Sequence, residues 1–305
     1  MKKILHLLLA MLAVTVVVGL SACSREEKGA ATLVFEQVDF RRSDDSIGKE
    51  FPHAWARYYA DIEWPVAGDT AMRQLLQRCV LEGLRLPTTA DSLWAPTDSL
   101  RPVLKRLSDD FFAFYRKDCP ALADGVGYSI RYITTVEART ERLITYNKWV
   151  ETYLGGASAK VRQEYANIDL QERRILQNGD ILLPHAIDTL RPLLARGLLK
   201  YFREEEQGPL ALNVLELAYR ERGCQPLTAA GLDKLLCRPA LQLDLPQGVP
   251  GLTEQGLAFR YQPGEIAHPA CGMPIVVIPY DSLPDVLAPL AKELALLLRP
   301  IAPKN

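Results

Sequence analysis

The stretch at residues 143–170, LITYNKWVETYLGGASAKVRQEYANIDL, limits what this chain can fold into more than any other part of it. Residues 143–153 and 161–168 are rich in the β-branched and aromatic side chains that suit a pleated, half-buried surface. Between them stand Gly155 and Gly156. A glycine pair supplies the positive φ that a tight turn between antiparallel strands requires, without a Cβ to strain it. The run at 128–136, rich in Ile, Thr, Val and Tyr, adds a third strand and makes a meander.

The flanking sequence mixes strands and helices. Residues 32–40 alternate as a strand, and the charged residues 41–50 are expected to form a loop. Tyr58, Ala60, Ile62, Trp64 and Val66 share one face of the next strand, with Tyr59, Asp61 and Glu63 on the other and Pro65 near its end. Asp69 and Thr70 cap a helix with Met72, Leu75, Leu76, Cys79 and Val80 on its apolar side. A second helix is expected over 99–117, a third from Pro184 to about 204, and a last one opening at Asp281. Short strands are expected at 241–245, 257–261 and 275–278. Too few strand-helix-strand alternations are present for a parallel sheet. The fold class is therefore α+β, antiparallel sheets packed against helices, in two consecutive segments at 32–182 and 183–305. One echo links them: DSLRPVLKR at 98–106 and DTLRPLLAR at 188–196. With Ser99 and Thr189 as caps, each proline would sit in a first turn, where its missing N–H costs nothing.

The N-terminus specifies location. Lys2 and Lys3 precede an apolar run at 4–20, and Leu20-Ser21-Ala22 leads into Cys23. This resembles a bacterial lipoprotein signal peptide, 1–22, with Cys23 the lipidated first residue of the mature chain. An uncleaved anchor is the plainer alternative, since 17 residues barely span a bilayer. Residues 23–31 form a polar tether that looks like the export tags of Bacteroidetes surface lipoproteins. The expected address is the bacterial cell envelope, on the outer membrane facing the periplasm or exposed, held by the lipid anchor. With a net charge of −1, nucleic acid is not an expected partner. Five cysteines remain after Cys23: Cys79, Cys119, Cys224, Cys237 and Cys271. Cys224 and Cys237 are close enough for a short disulfide loop, and Cys79 reads as a buried apolar residue.

No catalytic constellation emerges. His53, His185 and His268 lack metal-ligand spacing, so neither metal nor cofactor is expected. Ser158 lies in GASAK, without the second glycine of a nucleophile elbow. Asp61 and Glu63 share a strand face, which a solvated edge explains. Of the aromatic cluster Trp55, Tyr58, Tyr59 and Trp64, alternation turns Tyr58 and Trp64 inward and leaves Tyr59 as a surface contact.

Tyr153-Leu154-Gly155-Gly156-Ala157-Ser158 is followed by Tyr165-Ala166-Asn167-Ile168-Asp169-Leu170 and by Gly179-Asp180-Ile181-Leu182. Further on, the segment GLAFRYQPGEIA at 256–267 precedes Cys271-Gly272 and then PIVVIPYDSL at 274–283. Together these resemble the extracytoplasmic domain of unknown function shared by the lysozyme-sensing anti-sigma factor RsiV and the N-terminal part of the peptidoglycan deacetylase PdaC. That module is also common in Bacteroidetes lipoproteins. The resemblance spans roughly 51–297 and departs twice: Ser158 replaces the family's histidine, and Gly264 its tyrosine. Neither an anti-sigma segment nor a deacetylase domain is expected to accompany it.

The expected function is therefore binding. The resemblance implies a lysozyme-like protein or cell-wall glycan (peptidoglycan) as ligand, with the turn 155–158 and the loop 264–272 as contact loops. The residues singled out are Tyr59, Tyr153, Gly155, Gly156, Ser158, Glu265 and His268. The alternatives are a cell-envelope hydrolase and a structural envelope lipoprotein; Glu265 with His268 is the best acid–base set available to the hydrolase.

Overall fold

A computed structural model describes residues 32–44, 55–84, 97–118, 127–156, 158–204, 245–265 and 272–298. Strands β1 (Val34–Asp44), β2 (Trp55–Ala67), β3 (Gly127–Arg139), β4 (Leu143–Tyr153), β5 (Lys160–Asp169) and β6 (Arg174–Ile175) form one sheet in that spatial order. Strands β7 (Gly251–Thr253), β8 (Gly256–Arg260) and β9 (Ile275–Ile278) form a second, smaller one. The helices are α1 (Thr70–Gly83), α2 (Arg101–Asp118), α3 (Asn178–Ile181), α4 (Ala186–Glu204) and α5 (Pro289–Leu298). The class is α+β. Cys23, the tether, Cys224 with Cys237, His53 and His268 lie outside the described residues.

One ladder departs from the expected antiparallel pairing. β2 runs parallel to β3, with Trp55 opposite Gly127 and Ile62 opposite Thr134, while every other ladder is antiparallel. The connection between them carries α1 and α2, and a crossover of that length returns a strand in the same direction. Both helices pack on one face of the sheet. Asp69 caps α1 by accepting from the Met72 backbone N–H at 2.9 Å. The core beneath is aromatic: Tyr58, Trp64, Tyr132 and Tyr146 are each at most 1% exposed. Cys79 lies among them as a free thiol, and burial pushes its pKa up to about 11.

Several element ends differ from expectation for identifiable reasons. β1 continues through 41–44, expected as loop, because α2 satisfies its inward charges. Arg42 pairs with Asp109 and lies over the Phe112 ring, and Arg116 donates to Asp44 at 2.6 Å. β2 passes Pro65, whose missing donor is absorbed by a register shift in β1 between Val34 and Phe35. The two DSLRP-like segments are not equivalent. Pro102 falls in the first turn of α2, but α4 starts at Ala186, so Pro192 is inside the helix and leaves the Asp188 carbonyl unbonded by the helix ladder. The last segment opens with a 3-10 turn at Tyr280–Ser282, and α5 begins only at Pro289. Leu245 is not in a strand, and β7 at 251–253 stands where none was expected.

A second core gathers Leu182, Leu190, Leu194, Phe259, Val276, Leu287 and Leu294 with Ala138 and Leu143 from the large sheet. Gly197 lets α4 close onto β9, since a Cβ there would come within 2.2 Å of Val276 Cγ1. The small sheet docks on the outer face of the large one, opposite α1 and α2, at the end where β3 meets β4. Asn167 holds it there. Its Oδ1 accepts from the Leu252 N–H and its Nδ2 donates to the Pro250 carbonyl, both at 2.8 Å, and Asn167 is fully buried. Thr145 donates to the Leu252 carbonyl at 2.7 Å. Gly251 admits the contact, because a Cβ would come within 2.6 Å of the Tyr165 ring.

Replacing Asn167 by leucine keeps the volume but orphans a buried donor at Leu252 and a buried acceptor at Pro250. At ~1–3 kcal/mol per orphaned group, unfolding free energy should fall by about 2–6 kcal/mol. Urea unfolding followed by circular dichroism measures this, and an unchanged midpoint would contradict the role given to Asn167.

Candidate functional site: the open half of the outer sheet face

Because β7–β9 cover only one end of the outer face, the other end is open across β1 to β4. Strand alternation fixes what it displays: Asp39 and Arg41 from β1, Trp55, Arg57, Tyr59 and Asp61 from β2, Ser129 and Arg131 from β3, Glu151 and Tyr153 from β4. All of these but Tyr153 line a concavity of about 430 Å³, which Tyr153 adjoins through its contact with Trp55.

Trp55 is held by what lies beneath it. Its indole crosses Gly127 on the neighbouring strand so closely that a Cβ at 127 would come within 2.1 Å of Cε2. The ring stacks on Tyr153, centroids 6.1 Å apart and planes at 14°. The Tyr153 hydroxyl donates to the Gly156 carbonyl at 3.0 Å, tying this aromatic pair to the β4–β5 turn. There Gly155 and Gly156 have φ of +81° and +107°. The Arg57 guanidinium lies over the indole, 4.8 Å from its centroid.

Charges in the groove divide into engaged and unengaged. Arg41 grips Asp39 through Nε to Oδ1 at 3.0 Å and Nη2 to Oδ2 at 2.9 Å; that hydrogen-bonded carboxylate raises the Arg41 pKa. Asp61 accepts from the Gln37 amide, and Glu63, one rung further, accepts from the Val136 N–H, so these two carboxylates are not a convergent pair. Among the described residues, Arg57, Arg131 and Glu151 make no ion pair.

The residues singled out from the sequence fall in three places. Tyr59 lines the groove, half-buried, and Tyr153, Gly155 and Gly156 stand at its β4 rim. Ser158 is exposed beyond the turn. Glu265 is elsewhere, in the loop after β8. Its two oxygens accept from the Gln247 and Gln262 N–H groups at 2.8 and 2.7 Å, and Gly264 takes φ of +83° in the turn before it. That loop is docked on β5 by Gln262, whose amide accepts from Gln163 N–H at 3.1 Å and donates to Gln163 O at 2.6 Å. His268 is outside the described residues, and His185 is exposed. Among the described residues no group of three or more His, Cys, Asp or Glu could hold a metal ion. No described helix is long and apolar enough to cross a membrane.

Arg57, Arg131 and Glu151, which line the groove, and Gly127 beneath Trp55 were not singled out, and Trp55 was named only as a member of the aromatic cluster. The phase set by Tyr58 does place Trp55 and Arg57 outward beside Tyr59. Gly127 and Arg131 join them only through the parallel β2–β3 register, which alternation cannot specify.

Gly127→Val should displace the Trp55 ring. Of the four tryptophans, one indole N–H resonance should move in a ¹H–¹⁵N spectrum, the same one that disappears in Trp55→Phe. If all four resonances stay in place, the indole does not rest on Gly127.

No protein-family model matches the chain, and no curated protein does. Solved structures do. A member of the DUF3298 family from Bacteroides fragilis superposes with a TM-score of 0.60 at 17% identity, covering 89% of this chain and 99% of that one. A DUF3298 family protein from Pseudomonas aeruginosa gives 0.50 at 16% identity, covering 85% and 96%. At these identities the likeness is one of fold, and it extends over nearly the whole length of both structures: the chain has the architecture of the DUF3298 proteins.

Proposed function

We propose that this chain is a lipid-anchored binding module of the bacterial cell envelope that holds a cell-wall glycan in the open half of the outer sheet face. The observation that carries the reading is the groove itself. It is concave, and its volume of about 430 Å³ falls in the ~300–1,000 Å³ range of ligand sites. Half-buried aromatic rings, Trp55 and Tyr59, alternate in it with unengaged polar groups, Arg131 and Glu151. Sugars present that combination of apolar C–H faces and hydroxyl edges.

The leader-like run at 4–20 and the Leu-Ser-Ala-Cys segment at 20–23 support anchoring through Cys23 in the envelope, where such a polymer is available. The resemblance to the module of RsiV and PdaC supports the same setting. A lysozyme-like protein is the other ligand that resemblance brings. The groove favours the glycan, because a concavity of about 430 Å³ lined by rings and charges fits a sugar better than the broad surface of a globular partner.

The purified full chain in detergent should co-sediment with insoluble peptidoglycan. Trp55→Ala and Tyr59→Ala should each weaken retention at least tenfold while leaving the thermal midpoint nearly unchanged, since both side chains are only half-buried. Equal retention of the variants and the parent chain, or no retention at all, would contradict the proposal.

A further inference from the structure

Resting on that reading of the groove, we infer that its Trp55 end is a carboxylate subsite, in which Arg57 and Arg131 together hold the acid group of a carboxylate-bearing sugar, a muramic acid whose carboxyl is free of a stem-peptide amide. Arg57 is oriented before any ligand arrives. Gly127 lets the indole lie down, and the indole fixes the guanidinium over itself at 4.8 Å, leaving the N–H edge of the guanidinium as its bonding edge. A planar fork positioned in this way matches a carboxylate bidentately and loses little freedom on binding.

Arg131 supplies the second cation. Arg57 is opposite Ser129 in the parallel ladder, and Arg131 follows Ser129 by two residues on the same face, so the two residues are diagonal neighbours across the ladder. Neither makes an ion pair among the described residues.

Two of the acidic side chains of the groove already have partners. Asp39 is gripped by Arg41, and Asp61 is bonded to Gln37. Asp61 lies four residues along β2 from Arg57, which at ~3.3 Å per residue is about 13 Å. Glu151, the cross-strand neighbour of Arg131, is the acceptor left for a hydroxyl or amide N–H of the same sugar.

The test is titration calorimetry of the purified full chain with N-acetylmuramic acid, its methyl ester and N-acetylglucosamine. The free acid should bind at least tenfold more tightly than the ester. Arg57→Gln and Arg131→Gln should each remove that preference, so that acid and ester bind alike, with the thermal midpoint unchanged. Arg57→Lys should not restore it, because an ammonium has no planar fork. Equal affinity for acid and ester overturns the carboxylate subsite and leaves the glycan reading standing. Failure of all three sugars to bind, together with no retention on peptidoglycan, overturns both.

Discussion

The side-chain amide of Asn167 takes the place a neighbouring strand would occupy. It offers an acceptor to Leu252 and a donor to Pro250, in the pattern of a peptide group, from near the C-terminal end of β5. Gln262 does the same to the backbone of Gln163 elsewhere on that strand. Two side-chain amides thus join a six-stranded and a three-stranded sheet with no ladder between them. Their strength comes from burial, since a buried peptide group with no partner costs more than a typical hydrogen bond contributes.

This joint sets the geometry of everything on the outer face. With β7–β9 pinned over β4 and β5 at one end, that end becomes the floor of the second core, with Ala138 and Leu143 in it. The other end stays open because the small sheet stops short of β1 and β2. The groove is therefore the part of one continuous β surface that docking leaves uncovered. Its rigidity comes from the aromatic core on the opposite face, where Tyr58, Tyr132 and Trp64 hold β2 and β3 against the helices. Site residues on central strands of such a sheet are positioned by the ladder itself.

Much of this was legible in the sequence where the signal is local. The Gly155–Gly156 turn, the Asp69 cap and the inward phase of Tyr58, Ile62 and Trp64 each follow from spacing within a few residues, and the structure has them. Tyr59 was placed outward by that same phase. What escaped depends on partners far away in the chain. The parallel β2–β3 pairing joins positions 72 residues apart (Trp55 and Gly127), and without it neither Gly127 nor Arg131 can be assigned to the groove. Asn167 and Asp169 were visible as a motif. Asn167, however, acts on residues more than 80 positions later, and Asp169 turns its own carboxylate back on the Gln171 and Glu172 N–H groups. Pro192 shows the opposite failure: a local repeat suggested a shared cap, and the tertiary packing of α4 carried the helix through it.

The most direct test of this division of the outer face into a docked end and a binding end is chemical-shift mapping of backbone amides during titration with soluble peptidoglycan glycan chains. The account predicts shifts concentrated at 55–61, 127–131 and 149–153, with 165–169 and 250–260 unmoved. Shifts centred on the docked end, or on the helix-covered face, would contradict it.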